Sequence, residues 1–385
     1  MTKEEIRTKI IEIRHHIHMH PETGMDTVQT ADYVAKIMED LGCEVTRGIG
    51  TNGVVATMKC GDGKGMIGLR ADMDALNIQE DNDLPYKSQV PGKMHGCGHD
   101  SHTATLIGAA MLLKESQDFN GTVVFVFQPG EEPGLGAKAM IADGLFEKFP
   151  MTEIYGQHNQ PDQPLGTIKT RAGQIRSSED DFWITIKGKG GHASAPHLVH
   201  DPLVAAAEII MQLQTIISRN VNPLDAATVS CCDIKTDGVM NTLPTNITIL
   251  GDCRTYNPAV SQLIEKKMRQ IVASVCEAND CEGEVKYDRV FIPAINDAAC
   301  TQVVIDTATK LFGPEKVIVS EFPGSASEDF GQFSAIVPGC LFDIGTLPEG
   351  AVTFAPKHNA HYVFNDDAIL VGSEMFAQIV RDRLK

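Results

Sequence analysis

The chain has 385 residues, of which 42% are hydrophobic, so it contains enough apolar sequence for two globular cores. Its 51 acidic and 33 basic residues give a formal charge of −18. Such a charge repels nucleic-acid backbones and anionic lipid surfaces, so we expect neither nucleic acid nor membrane as a partner.

The first residues offer no sign of an export signal. They are charged from Lys3 onward and lack an apolar stretch. No segment approaches the roughly 18 uninterrupted apolar residues of a membrane span. The ten cysteines are scattered without a C-x-x-C pair, which is typical of reduced thiols. These features predict a cytoplasmic protein.

The hydrophobic periodicity changes along the chain. Helical spacing covers residues 4–18 and 28–41, and a further helix is predicted over 101–115. Short β-like runs lie between and after these helices, at 53–58, 65–71, 121–127 and 153–158. Strands that alternate with helices predict an α/β sheet covered by helices.

A different unit is predicted over residues 178–290. Its order of elements is βαββαβ, the ferredoxin-like arrangement. Alternating α/β character returns after this unit and continues to the end of the chain. We therefore predict one α/β domain, formed by residues 1–177 and 291–385 and interrupted by the inserted ferredoxin-like domain.

Four polar clusters follow the β-like runs of the first domain: RADMDAL (70–76), GCGHD (96–100), QPGEEPG (128–134) and GQHNQP (156–161). Ligands bind outside the carboxyl ends of strands in open α/β sheets, so these loops can converge. A C-terminal stretch, APKHNAHYVFND (355–366), adds further histidines. The combined sulfur, nitrogen and oxygen donors suit zinc or a related divalent ion, and they are Cys97, His99, Glu131, Glu132, His158 and His358.

The local sequence suggests roles for two of these clusters. Glycines on both sides of Cys97 let the backbone bring its thiolate and the His99 imidazole toward one ion. Asp100 and Ser101 are the candidate caps of the helix that follows. In the Glu131–Glu132 pair, one carboxylate can bind metal while the other moves a proton between water and a leaving amine.

Other interpretations stay open at this stage. Cys97 could be a nucleophile with His99 as its base, although the glutamate pair and the two further histidines would then have no role. The N-terminal histidines at positions 15, 16, 18 and 20 lie in an amphipathic segment and are expected to be structural or solvated. His192 lies in a glycine-rich turn, where a structural histidine is the default expectation.

The motifs together resemble the M20 family of metallopeptidases, in its amidohydrolase branch of hippurate hydrolases, N-acyl-amino-acid amidohydrolases and auxin-conjugate hydrolases. In chain order they are GLRADMDAL, GCGHDSHTA, VFQPGEEPGLGAKAM, GQHNQP, GKGGHASAPH, LPTNITILGDCR, SEDF and HNAHYVFND. The resemblance covers nearly the whole chain. It implies a catalytic α/β domain that carries two metal ions. It also implies a smaller lid domain through which subunits associate in a homodimer or higher homo-oligomer.

The resemblance also implies roles for individual residues. The implied metal ligands are Cys97, as the bridge, with His99, Glu132, His158 and His358. Glu131 is the implied general base, and Asp72 supports the metal centre. His192 would stabilise the oxyanion, often at the neighbouring subunit's site, and Asn246 and Arg254 would contact the substrate's carboxylate.

The sequence departs from the family pattern beside two of the ligands. Gly130 and Pro133 replace a frequent alanine and glycine, and Asn359, Ala360 and His361 replace a usual Ser-Pro and a variable residue. His361 is therefore an alternative to His358 as the C-terminal ligand.

The expected activity is metal-dependent hydrolysis of the amide bond of an N-acyl-amino acid. A dipeptidase or carboxypeptidase is the alternative within the family. A Cys/His acyl-transfer enzyme and a non-catalytic metal-binding protein are the alternatives outside it. The family uses manganese, zinc, cobalt or nickel, and the sequence does not choose among them.

Overall fold

The computed structural model describes all 385 residues and contains two compact units. The first unit comprises residues 1–175, 295–323 and 328–385. The second comprises residues 176–294 and 324–327, so most of it is one insertion into the first. The domain boundaries predicted from sequence, at 177/178 and 290/291, and the lid role of the insertion stay predictions.

The chain forms ten α-helices. They are α1 (Lys3–Met19), α2 (Val28–Asp40), α3 (His99–Ser116), α4 (Gly136–Ala142), α5 (Leu145–Lys148), α6 (Pro202–Asn220), α7 (Pro258–Ala278), α8 (Ala298–Phe312), α9 (Phe330–Ser334) and α10 (Ile369–Arg383). None of them combines the length and the apolar composition that crossing a membrane requires.

The chain also forms sixteen β-strands. They are β1 (Glu44–Ile49), β2 (Gly53–Cys60), β3 (Met66–Asp72), β4 (Gly121–Gln128), β5 (Ile154–Pro164), β6 (Ile168–Thr170), β7 (Gly173–Arg176), β8 (Glu179–Lys187), β9 (Gly191–His192), β10 (Ala227–Thr236), β11 (Thr242–Leu243), β12 (Asn246–Thr255), β13 (Glu282–Phe291), β14 (Ala294–Asn296), β15 (Val317–Val319) and β16 (Gly339–Leu347).

The first unit is built on an eight-stranded mixed sheet with the order β1-β2-β4-β3-β5-β16-β6-β15. Its centre is parallel, because β3 pairs in parallel with both β4 and β5, and β5 pairs in parallel with β16. The central strands are buried on both faces, as expected for strands covered by helices. Their carboxyl ends therefore lie along one edge of the sheet.

Helix α1 shows why the N-terminal segment is part of this unit. Thr2 and Glu5 form a capping box at its start. Four isoleucines at helical spacing are buried in the core of the unit: Ile6, Ile10, Ile13 and Ile17. Arg14 and His18 lie on the same buried side, so α1 carries two ionisable groups into the interior.

The second unit has a four-stranded antiparallel sheet with the order β10-β12-β8-β13. Helices α6 and α7 begin after Asp201 and Asn257, each of which caps its helix, and each helix has proline as its first residue. Their apolar faces form a separate core with the sheet. This is the ferredoxin-like arrangement, so the predicted fold class, a mixed α/β domain with a ferredoxin-like insertion, is confirmed.

Two local expectations were wrong. Helix α3 begins at His99, and its N-cap is Gly98, so Asp100 and Ser101 lie inside the first turn rather than at its cap. The Asp100 carboxylate accepts hydrogen bonds from α1 instead. Strand β5 does not end at residue 158 but continues to Pro164, so His158 lies within the strand, beyond its pairing with β3.

Candidate metal centre

The ends of β3 and β4 place the first acidic groups of the site. Asp72 is the last residue of β3, and Asp74 follows two residues later in the loop. The two carboxylate oxygens of Asp74 accept hydrogen bonds from the backbone N–H groups of Glu131 and Glu132, at 2.9 and 3.2 Å. Asp74 therefore holds the glutamate pair that follows β4.

Gly98 fixes the turn that carries Cys97 and His99. Its φ of +93° is a conformation that other residues rarely adopt. A Cβ at this position would lie 2.8 Å from Oδ1 of Asn159, the neighbour of His158 in β5. The turn thus packs directly against the strand that carries His158.

The five predicted metal ligands converge within the first unit. Sγ of Cys97 lies 3.6 Å from Nε2 of His158. Oε1 of Glu132 lies 3.8 Å from Nε2 of His99 and 3.5 Å from Nε2 of His358. Donor atoms of Cys97, His99 and His158 lie within 4.8 Å of one another, and so do those of Cys97, Glu132 and His358. Cys97 belongs to both groups, and His99 and Glu132 also share a group with Glu131.

The C-terminal histidines differ in what they face. His358 points to Glu132, whereas Nε2 of His361 lies 3.7 Å from the exposed carboxylate of Asp81. His358 also has a φ of +62°, an unusual conformation for a residue with a side chain. Such strain is often kept at functional sites. The geometry therefore favours His358 over His361 as the ligand.

Unpaired buried atoms show that these residues fit a metal ion. Both ring nitrogens of His99 and Oε1 of Glu132 are buried without a hydrogen-bond partner in the protein. Buried polar atoms are almost always paired, so these atoms are explained if they bind a cation. The mixture of thiolate, imidazole and carboxylate is the donor set expected for zinc and related divalent ions.

The pKa values of the Glu131–Glu132 pair also fit a cation site. Burial, with the Glu328 and Glu132 carboxylates nearby, raises the pKa of Glu131 well above its ordinary value. Burial also raises the pKa of Glu132 to about 7. A bound cation would favour the ionised form of both groups.

Cys97 does not have the surroundings of an activated nucleophile. Burial and the Glu132 carboxylate raise the pKa of its thiol. A nucleophilic cysteine needs a lowered pKa, and a metal ion would supply the positive charge that the protein does not. The metal-ligand interpretation of Cys97 is therefore the better supported one.

Asp72 lies next to the centre but bonds mainly to other protein groups. Its Oδ1 pairs with Nδ1 of His102 at 2.6 Å, and its Oδ2 accepts from Arg70 at 2.8 Å. Its Oδ1 is 3.8 Å from Nδ1 of His99, whereas Asp74 is 3.5 Å from that atom. Burial raises the pKa of Asp72, but His99, His102 and Arg70 outweigh it and keep the pKa well below the ordinary value.

Several supporting residues were missed in the sequence analysis. Asp74 holds the glutamate pair, and His102 pairs through Nε2 with Oδ1 of Asn159 at 2.5 Å. Arg70 joins Asp72 to the SEDF motif through Asp329 at 2.7 Å. Asp74 and His102 lie inside the motifs RADMDAL and GCGHDSHTA, so their positions were visible, but their partners are set by the fold.

The three remaining candidates lie in the second unit. His192 is exposed on β9, where its Nδ1 accepts from the backbone N–H of Ser194 at 3.1 Å. Asn246 is exposed and donates to Asp237 at 2.8 Å. Arg254 is half-buried and forms ion pairs with Glu179 at 2.8 Å and with Asp252 at 2.9 Å. The roles predicted for these residues stay predictions.

Residues 68–382 match the model of peptidase family M20/M25/M40. The chain is 38% identical to the hippurate hydrolase of Campylobacter jejuni over 99% of this chain and 98% of the relative. It is 36% identical to an N-acetyl-L-cysteine deacetylase of Bacillus subtilis over 89% and 81%, respectively. A crystal structure of a dinuclear metal-binding peptidase of the M20 family from Bacillus subtilis superposes with a TM-score of 0.85, at 30% identity and 99% coverage of both chains.

These similarities extend over the fold and over the segments that carry the converging ligands. The recognition made from the motifs is confirmed, including the branch. The chain belongs to peptidase family M20/M25/M40, in its amidohydrolase branch, and is a metal-dependent hydrolase of amide bonds.

Proposed function

We propose that the protein hydrolyses the amide bond between an acyl group and an amino acid. The observation that carries this proposal is the Glu131–Glu132 pair: Glu132 faces His99 and His358, while Glu131 stays beside the same cluster as a second carboxylate. The relatives support the substrate class, because the names hippurate hydrolase and N-acetyl-L-cysteine deacetylase both denote N-acyl-amino acid substrates.

In this proposal Cys97, His99, Glu132, His158 and His358 would hold two divalent ions, and Cys97 belongs to two of the donor groups. Bound ions would supply Lewis acidity, which polarises the substrate carbonyl and lowers the pKa of water. The name of the similar dinuclear metal-binding peptidase supports the number of ions. Their identity is left to experiment, among manganese, zinc, cobalt and nickel.

Glu131 is the proposed general base. Its Oε2 lies 3.9 Å from Nε2 of His99, so its carboxylate borders the ligand cluster. Its backbone is fixed by Asp74, which limits where the carboxylate can move. Glu131 takes a proton from the attacking water and then donates it to the nitrogen of the departing amino acid.

The second unit is proposed to act as the lid and to contribute to binding. His192 would donate from Nε2 to the developing oxyanion, since its Nδ1 already accepts from Ser194. Arg254 lines a cavity of about 550 Å³ within that unit, a size that suits a small ligand. Arg254, with Asn246, is proposed to bind the substrate's carboxylate.

We also propose that the protein is a homodimer or higher homo-oligomer formed through the second unit. In such an assembly His192 could serve the neighbouring subunit's site. Light scattering on the purified protein measures the assembly directly, and a monomer at working concentration would contradict this part of the proposal.

The test of the activity is amine release from a panel of N-acetyl, N-succinyl and N-benzoyl amino acids and dipeptides, after loading with Mn²⁺ or Zn²⁺. We expect release from N-acyl-amino acids that a chelator abolishes and added metal restores. Preference for dipeptides would favour the peptidase alternative. Release that survives chelation and is lost on alkylation would favour a Cys97 acyl transferase. Bound metal without release from any compound would contradict the proposed activity.

A further inference from the structure

A buried cluster of charged groups joins α1 to the start of α3. Arg14 donates from Nη1 to Oδ2 of Asp100 at 2.9 Å, and Nδ1 of His18 pairs with the same oxygen at 2.8 Å. All three residues are almost completely shielded from solvent. We call Arg14, His18 and Asp100 the α1 clamp.

The α1 clamp holds the residue that follows a proposed ligand. Asp100 comes directly after His99, in the first turn of α3, and Cys97 lies just before that turn. Neither ring nitrogen of His99 has a hydrogen-bond partner in the protein. The ring has only longer contacts with carboxylates, such as Asp74 at 3.5 Å, so its backbone helps to set its position. Asp100 ties that backbone to α1.

The same helix also reaches the C-terminal ligand segment. Nε2 of His18 lies 3.4 Å from Oε1 of Glu80, and that oxygen accepts from Nδ2 of Asn82 at 3.1 Å. The Asn82 amide also donates to the carbonyl of Tyr362 at 3.1 Å, four residues beyond His358. His18 is thus connected to two of the segments that supply proposed ligands, the Cys97–His99 turn and the segment of His358.

We infer that His18 and Arg14 are positioning residues of the metal centre, which act by fixing Asp100 and with it the Cys97–His99 segment. The inference rests on the proposed function only in taking Cys97 and His99 as metal ligands. Groups that orient metal ligands through hydrogen bonds typically change metal affinity by about 10- to 100-fold when they are removed. The α1 clamp acts through the backbone, and we expect an effect of at least about tenfold.

The experiment measures Co²⁺ affinity of the full chain by competition with a fluorescent chelator. His18→Leu removes both polar contacts of this side chain. His18→Asn keeps a donor near the position of Nδ1 and can still reach Asp100. We expect His18→Leu to weaken Co²⁺ binding at least about tenfold, and His18→Asn to restore most of that loss.

Glu153→Gln is the matched control, because Glu153 is a buried carboxylate of the same unit that pairs with Arg383 at 2.7 Å, outside the α1 clamp. We expect it to leave Co²⁺ affinity within about twofold of wild type, in contrast to the loss expected when a positioning group is removed. Wild-type affinity in His18→Leu, no recovery in His18→Asn, or an equal loss in the control would overturn the inference.

If His18→Leu does not fold, Asp100→Asn decides the question, since it keeps the shape of Asp100 and removes its charge. A loss of at least about tenfold supports the inference, and unchanged affinity overturns it. No substrate is used in these measurements. Failure of the proposed amidohydrolase activity would therefore appear in the turnover assay and not here.

Discussion

Glu131 and Glu132 are adjacent in the chain, yet their carboxylates have different surroundings. Oε1 of Glu132 lies 3.8 Å from His99 and 3.5 Å from His358 and has no hydrogen-bond partner in the protein. Glu131 lies near the buried Glu328 and Asp329 carboxylates, which with burial raise its pKa. These surroundings support the proposal that Glu132 binds a cation and that Glu131 exchanges a proton beside it.

The first prediction separates these two roles. Glu131→Gln keeps the shape of the side chain but cannot accept a proton, so we expect kcat to fall about 10²- to 10⁴-fold. Metal content should stay unchanged. Glu132→Gln is the matched variant, and it should instead weaken metal affinity. Steady-state kinetics and metal analysis measure both effects. Full activity in Glu131→Gln would exclude Glu131 as the general base.

At the scale of single elements, the backbone conformation of the turn before α3 affects the position of the candidate ligands. Gly98 and Gly92 both have positive φ, +93° and +76°, but only Gly98 is packed against other atoms. Its nearest neighbour is the Asn159 amide, which pairs with His102 and donates to Tyr362. A side chain at Gly98 would displace the Asn159 amide. Because His158 directly precedes Asn159 in β5, this displacement would also disturb His158.

The second prediction compares alanine at these two glycines. Gly92→Ala should cost roughly 1–2 kcal/mol from its backbone conformation alone. Gly98→Ala should cost more and should also weaken metal binding at least about tenfold, because Asn159 must move beside His158. Denaturant unfolding and chelator competition measure the two quantities. Equal metal affinity in the two variants would show that the Gly98 turn does not position the ligands.

Helix α1 gives a prediction about pH. Burial lowers the pKa of His18, but Asp100 and Glu80 outweigh burial and raise it to about 9. The folded state therefore binds the His18 proton more tightly than the unfolded state does. The stability that this proton contributes is complete below pH ~6.5 and is lost as the pH rises through about 9.

The measurement is urea unfolding of wild type and His18→Leu in a chelator, over this range of pH. The wild type should be the more stable protein at pH ~6, and the difference should shrink by up to about 3 kcal/mol as the pH approaches 9. A difference that does not change with pH would mean that folding does not raise the pKa of His18.

The elements also show what sequence could and could not predict. The helices at 4–18 and 28–41 and the ferredoxin-like order were predictable because hydrophobic periodicity is local. The convergence of Cys97, His99 and Glu132 was predictable because short motifs after neighbouring strands carry them, whereas their role as ligands stays a prediction. The caps assigned to Asp100 and Ser101 were wrong because Asp100 is bonded to α1, more than 80 residues away in the chain. Tertiary pairs such as Asp74 with the Glu131 backbone leave no local signature.

At the scale of the whole molecule, metal binding is expected to stabilise one of the two units and not the other. The candidate ligands run from Cys97 to His358, but all of them belong to the first unit. The second unit has its own core, formed by the sheet of β8, β10, β12 and β13 with α6 and α7. Metal binding should therefore be coupled to the unfolding of one unit and not the other.

The last prediction uses this difference. A ligand at 100 times its Kd stabilises the folded state by about 2.7 kcal/mol. Zn²⁺ should therefore raise the Tm of the full chain by several degrees. A fragment of residues 176–294 should fold on its own core and should show the same Tm with Zn²⁺ as with chelator. Scanning calorimetry measures both. An unfolded fragment would show that the second unit depends on the first, and a Zn²⁺-dependent Tm in the fragment would place a metal site outside the cluster at Cys97.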